Sequence, residues 1–207
     1  GIMLSRREWL VGAGAACVAR GAAERTLFDG RSLKGWKHSA NGIWTIEDGV
    51  LVGRCDHAKP GPGYLFTEEE FGDFRLRLEW FITKGGNSGV YVRQPQREFG
   101  AKGDARPAQI KETDGVEVQI DYNDPKNLTG AIYNRKGPIK VVGVEDQWNR
   151  YDIECRGQRI VVRLNGEQVN LWLPLPADRG LVGMQIHGGQ PHDHVVKFRN
   201  ITVEALS

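Results

Sequence analysis

The 207 residues are 40% hydrophobic and 26% charged, with 27 glycines and six tryptophans, the makeup of a folded chain long enough for one good-sized core. No apolar run reaches the roughly 20 residues that a membrane-spanning helix needs. The formal charge of +2 leaves no electrostatic footprint for nucleic acid or an anionic membrane surface.

Residues 1–23 differ from the rest. Ser5-Arg6-Arg7, then Trp9-Leu10-Val11 and a weakly apolar Gly/Ala stretch, resemble a twin-arginine export signal cleaved near Ala22-Ala23. The alternative is a short amphipathic helix. The signal reading places a single domain over 24–207 and sends it to the periplasm or outside the cell. Cys17 does not make a lipoprotein site, because Gly14 stands where that motif wants Leu. Taking 1–23 away removes three basic residues from 28 and one acidic residue from 26, which leaves 25 of each and a formally neutral domain. Cys55 and Cys155 remain, and export would make a disulfide between them chemically allowed.

Beyond this segment nearly every periodic stretch has period two. "GIWTIEDGVLVG" (42–53) is a hairpin about Glu47-Asp48-Gly49. "TEEEF" (67–71) is the one place for a helical turn. "DFRLRLEWFI" (73–82) alternates apolar and polar residues throughout, and "NSGVYVR" (87–93) follows Gly85-Gly86. A long polar loop (94–114) leads to "GVEVQIDY" (115–122), then the short "GAIYN" (130–134). "WNRYDIEC" (148–155) and "RIVVRLNGEQVNLW" (159–172), turning at Asn165-Gly166, give three strands. "GLVGMQIHG" (180–188) and "VVKFRNITVEAL" (195–206) complete the chain. Many strands punctuated by turns predict an all-β, two-sheet antiparallel sandwich of the jelly-roll type.

In "GVEVQIDY" every second side chain shares a face, about 6.6–7 Å apart. Glu117, Gln119 and Asp121 therefore form a polar row while Val116, Val118 and Ile120 point to the core. Asn87 and Arg93 on 87–93, Tyr133 on 130–134, and Gln185 and His187 on 180–188 extend this row to a plate if their strands are neighbours. Such a set of donors and acceptors suits a hydroxyl-rich ligand, and Trp148 or Trp172 could stack on a sugar ring. Glu117 and Asp121 lie roughly 13 Å apart along an ideal strand. That exceeds the ~5–5.5 Å of retaining and the ~6.5–9.5 Å of inverting glycosidases. The row resembles the acidic strand of laminarinase-type hydrolases in part, with Gln119 in place of the middle acid. His192 and His194 share a strand face as weak metal candidates, against the alternative of a solvated loop. The sequence requires no cofactor, although a divalent metal is compatible with it.

"LFDGRSLKGWK", "WTIEDGVLVG", "GYLFTEEEFGDFRLRLEW", "GNSGVYVR", "GVEVQIDY", "GAIY", "WNRYDIECRG" and "GMQIHG" occur in that order. Together they resemble the 3-keto-disaccharide hydrolase domain family from about Thr26 to Ala205. The resemblance implies a concanavalin-A-like jelly roll, of the lectin and glucanase type. It also implies cleavage of glycosides that a partner oxidoreductase has oxidised at C3. It maps the family's polar positions onto Arg93, Glu117, Gln119, Asp121, Tyr133, Gln185 and His187. A 3-keto sugar has an acidified C2 hydrogen, so elimination followed by hydration needs a base. Glu117 or His187 fits that role, with Asp121 as binder or proton donor and Arg93 on the enolate oxygen. Competing readings are a lectin-like binding module and a structural sandwich with a wet face.

Overall fold

The computed structural model describes residues 22–39, 41–56, 58, 61–95, 115–188 and 193–207. Thirteen strands run along the described chain: β1 (Arg25–Thr26), β2 (Trp36–His38), β3 (Gly42–Glu47), β4 (Val50–Cys55), β5 (Gly63–Phe71), β6 (Phe74–Ile82) and β7 (Asn87–Gln94). They continue with β8 (Val116–Asp121), β9 (Trp148–Arg156), β10 (Arg159–Leu164), β11 (Glu167–Trp172), β12 (Gly180–Ile186) and β13 (Val195–Ala205). One eight-stranded sheet has the order β11-β10-β9-β6-β13-β4-β3, with β1 on β13. A five-stranded sheet has the order β2-β5-β12-β7-β8. All these pairings are antiparallel. The twin-arginine segment, Cys17, His192 and nearly all of the 94–114 loop lie outside the described residues.

Alternation decides which side chains meet between the sheets. On β6, Phe74, Leu76, Leu78, Trp80 and Ile82 are buried while the residues between them are half-exposed. They join Val116, Val118 and Ile120 of β8 in one cluster. Each such side chain removed from water is worth about 1.5–3 kcal/mol, so the pattern has one strongly preferred register. Two of the two-residue hairpins turn on a pair of left-handed residues, Asp48-Gly49 (φ 51° and 78°) and Asn165-Gly166 (φ 52° and 85°).

Two stretches depart from the sequence reading. Residues 67–71 are the end of β5 and not a helical turn, because Glu70 pairs with Leu181 of β12 and Phe71 is buried. The stretch 130–134 makes only isolated bridges, Val118 to Ile132 and Ile132 to Lys136, and folds back on itself there. Cys55 and Cys155 are both free thiols. Burial pushes the Cys155 thiol up to about 12.

Arg93 is the main correction. Simple alternation puts it on the same face as Tyr91, yet its φ of 51° turns the side chain away at an irregularity in the β7–β12 pairing. Its guanidinium has no exposed surface. It donates to the carbonyl oxygens of Gly72, Gly157 and Ala177 and to the Asp73 carboxylate at 3.0 Å. Arg93 thus ties three loops together at one end of the sandwich and does not reach the polar row. Replacing it by Met would strand three carbonyls. Arg93→Met is expected to destabilise the fold by about 3 kcal/mol or more, measured by denaturant unfolding, with little change in ligand affinity of the folded fraction.

Candidate functional site

Opposite the core, the five-stranded sheet carries a second face, and its register aligns residues in ranks. Phe66 of β5 stands opposite Gly183 of β12, which stands opposite Tyr91 of β7, itself opposite Glu117 of β8. The next rank is Tyr64, Gln185, Gly89 and Gln119. Asn87 then faces Asp121, and the His187 amide donates to the Asn87 carbonyl at 3.1 Å, continuing the ladder one step past β12. The chain after β8 runs back along its free edge: Thr129, Gly130 and Tyr133 amides donate to Asp121, Gln119 and Glu117 carbonyls. Tyr133 is thereby set beside Glu117.

This face is enclosed, although an open row was the expectation. Glu117, Gln119 and Asp121 are 8%, 2% and 3% exposed. Tyr64, Phe66, Tyr91 and Leu181 form an apolar cluster of their own there, with the Tyr91 ring edge-on to the other two rings. Two glycines make the arrangement fit. A Cβ on Gly183 would lie 2.1 Å from the Phe66 ring, and one on Gly89 would lie 2.0 Å from Glu117 Oε1. The Glu117 side chain therefore folds over a strand that has no side chain at that point.

A hydrogen-bonded chain links the ranks. Gln185 Nε2 donates to the Tyr91 hydroxyl at 3.0 Å, and that hydroxyl donates to Glu117 Oε2 at 2.9 Å. With its amide nitrogen facing the strand, Gln119 donates to Glu117 Oε1 at 3.2 Å and to the Ser88 carbonyl at 3.3 Å. Burial, with a smaller contribution from the nearby Asp121 charge, pushes the Glu117 carboxyl up to about 8, against the opposing bond from Tyr91. Burial also raises Tyr64 to about 12, Tyr91 well above its ordinary value, and, to a lesser extent, the exposed Tyr133. The three phenols stay protonated at neutral pH and can donate.

Other expected members take different parts. Asp121 Oδ1 accepts from the Asn123 amide (2.7 Å) and side chain (3.1 Å), so it also closes the turn after β8. His187 Nδ1 lies against the Gly188 carbonyl, which can only accept, so Nδ1 is the donor in that contact and Nε2 is not engaged by it. Trp148 is a correction. It lies on β9 in the other sheet, packed on Phe81 and beneath the Arg199 guanidinium at 3.9 Å, so it cannot stack on a ligand at this face. Trp172, on edge strand β11, lies under Arg135 at 5.1 Å. The weak metal candidate His194 is buried just before β13 of the eight-stranded sheet, and its companion His192 lies outside the described residues. Among the described residues no three His, Cys, Asp or Glu side chains group closely enough to hold a metal ion.

Tyr64 and Tyr91 were not singled out beforehand. Tyr91 could have been found, since it alternates with Asn87 on the plate side of "NSGVYVR". Tyr64 had no such signal, because its strand carries three consecutive glutamates that mask the period.

An antiparallel sandwich whose second face buries a carboxyl among tyrosines and amides defines a class of β-sandwich with a polar face on one sheet. The family model described as the 3-keto-alpha-glucoside-1,2-lyase-like domain matches residues 23–204, and the chain belongs to that family. A 3-keto-disaccharide hydrolase of Bacteroides thetaiotaomicron is 36% identical, over 87% of this chain and 78% of its own. A Parabacteroides distasonis crystal structure carrying a provisional glycosyl hydrolase name is 27% identical with a TM-score of 0.67, covering 89% of this chain and 100% of that one. The carbohydrate-binding module CBM66 of Bacillus subtilis shares the fold at 21% identity and a TM-score of 0.56, over 83% of this chain and 96% of the module.

Two outcomes follow from this geometry. Gly89→Ala must displace the Glu117 carboxylate while leaving the core untouched, and is expected to weaken function at this face far more than stability, seen by comparing ligand titration with thermal unfolding. Glu117 holds a proton in the native state that the unfolded chain releases above about 4.5, so stability should fall as pH rises from there through about 8. Glu117→Gln is expected to abolish that decline, worth on the order of a few kcal/mol, in melts taken between about pH 5 and about pH 9.

Proposed function

We propose that this chain cleaves glycosides already oxidised at C3, by elimination followed by hydration. The observation that carries the reading is the Glu117 carboxyl, buried, held by Tyr91 and Gln119, and shifted to about 8. A base with a pKa near the working pH balances being ionised against being strong enough to take a proton. A single base suffices for a 3-keto sugar, so no close carboxylate pair is needed.

In this scheme ionised Glu117 takes the C2 hydrogen. The C–H electron pair forms a C2–C3 double bond and places negative charge on O3. Tyr133, neutral and beside Glu117, donates to that oxygen; Arg93 cannot, since it is committed elsewhere. The enolate then collapses, C3=O reforms, a C1–C2 double bond appears and the C1–O bond breaks. His187 manages the proton that the departing alkoxide needs, and water later adds across C1–C2. Asp121, Gln119 and Gln185 bind the sugar. A partner oxidoreductase supplies the ketone, and residues 1–23 direct export, so that both would meet their substrate outside the cytoplasm. Among the described residues no helix is long and apolar enough to cross a membrane.

The test is turnover of a 3-keto-glucoside against the unoxidised glucoside, with and without a chelator. Cleavage of only the keto sugar is expected, with kcat/KM rising with pH as Glu117 ionises through about 8. Glu117→Gln is expected to lower turnover by about 10²–10⁴-fold while retaining sugar binding. Binding of both sugars with turnover of neither would favour the lectin-like module instead.

A further inference from the structure

Two buried acceptors on this face have no donor. Gln185 is 5% exposed; its Nε2 is engaged by Tyr91, yet its Oε1 meets no hydrogen-bond partner. Asn87 Oδ1 is likewise buried and unpartnered. Leaving an amide oxygen unpaired away from water costs about 1–3 kcal/mol, so two together at one place call for an explanation. Their positions give it. Gln185 stands opposite Gly89, two residues along β7 from Asn87, so they are diagonal neighbours, roughly 7–8 Å apart at Cα. Asn87, Gly89 and Tyr91 alternate on the side away from the core, and Asn87 faces Asp121 across the β7–β8 pair. Gly89, which has no side chain, leaves the space over β7 there to the Glu117 carboxyl, which brings that group alongside the pair.

We propose that Asn87 Oδ1 and Gln185 Oε1 form a hydroxyl-accepting subsite, which makes Asn87 a substrate-binding residue and fixes how the sugar lies. The proposal rests on the function proposed above and deepens it. Both atoms can only accept, so they recognise hydroxyl groups and disfavour a carbonyl. The C3 ketone must therefore point away from this pair, toward the phenols, while hydroxyls of the same ring face Asn87 and Gln185. A site built to bond a hydroxyl rejects the analogue lacking it, because its own buried atom is then left unpaired. That predicts discrimination by hydroxyl pattern, over and above discrimination for the ketone.

The experiment measures binding of a methyl 3-keto-α-glucoside and its 2-deoxy, 4-deoxy and 6-deoxy analogues to the native chain and to Asn87→Leu. Loss of at least one hydroxyl is expected to weaken binding to the native chain about tenfold or more. Asn87→Leu is expected to weaken the parent sugar similarly and to bind that deoxy analogue as well as it binds the parent. The proposal is overturned if no deoxy analogue loses affinity for the native chain, an arm that does not depend on the variant folding. It is also overturned if a folded Asn87→Leu keeps the native preference among the analogues. In both cases the native chain still binds and turns over the keto sugar, so the proposed function stands. A native chain that binds none of these sugars overturns both.

Discussion

The site depends on register. Tyr91 meets Glu117, and Gln185 meets Gly89, because β7 pairs with β8 and β12 in one particular alignment. That alignment is held from the opposite side of the sheet, where Val90, Val118 and Met184 are buried in the core. A slip of one residue would expose these and drive the carboxyl row into the apolar layer. Hydrophobic burial therefore positions the polar chemistry, although the two sets of side chains never touch.

Glu117 shows what this enclosure does to a carboxyl. On an open strand it would be ionised at neutral pH and strongly hydrated. Here two hydrogen-bond donors orient it, but they replace too little of the lost water to keep its pKa low, and Asp121 adds a like charge. Enclosure thus costs native-state stability as pH rises from about 4.5 through about 8, and it gives Glu117 the raised pKa on which the proposed base role rests. Gly89 is part of the same trade, since it leaves a strand position without packing so that the carboxyl can lie across it.

Much of this was legible in the chain, for physical reasons. Period two survives wherever one face is buried and the other is polar, so β6 and β8 could be read with their faces assigned, and β9 and the hairpins at Asp48-Gly49 and Asn165-Gly166 could be read as strands. The Glu117–Gln119–Asp121 row followed from the same alternation. Arg93 escaped because a left-handed residue reverses the direction of its side chain, and nothing local in "GVYVRQ" announces that. Trp148 escaped because alternation gives a face but not a sheet; only the pairing of β9 with β6 puts it on the far side of the molecule. Enclosure of the plate was also illegible, being a property of what tertiary structure brings alongside. Tyr64 was hidden by the charged end of its own strand.

The loop that follows β8 closes that strand's free edge, and the core ties it from behind: the buried Tyr151 hydroxyl donates to the Gln119 carbonyl, and the Asn170 side chain donates to the Gly130 carbonyl. Many ligand sites sit on segments that open readily. This one is stitched into both sheets. The amides of Gln119, Gly130 and Tyr133, all hydrogen-bonded within this edge, are accordingly expected to exchange slowly with solvent. In the proposed function, a sugar would meet a surface whose shape is already set and would spend little of its interaction energy on ordering the protein.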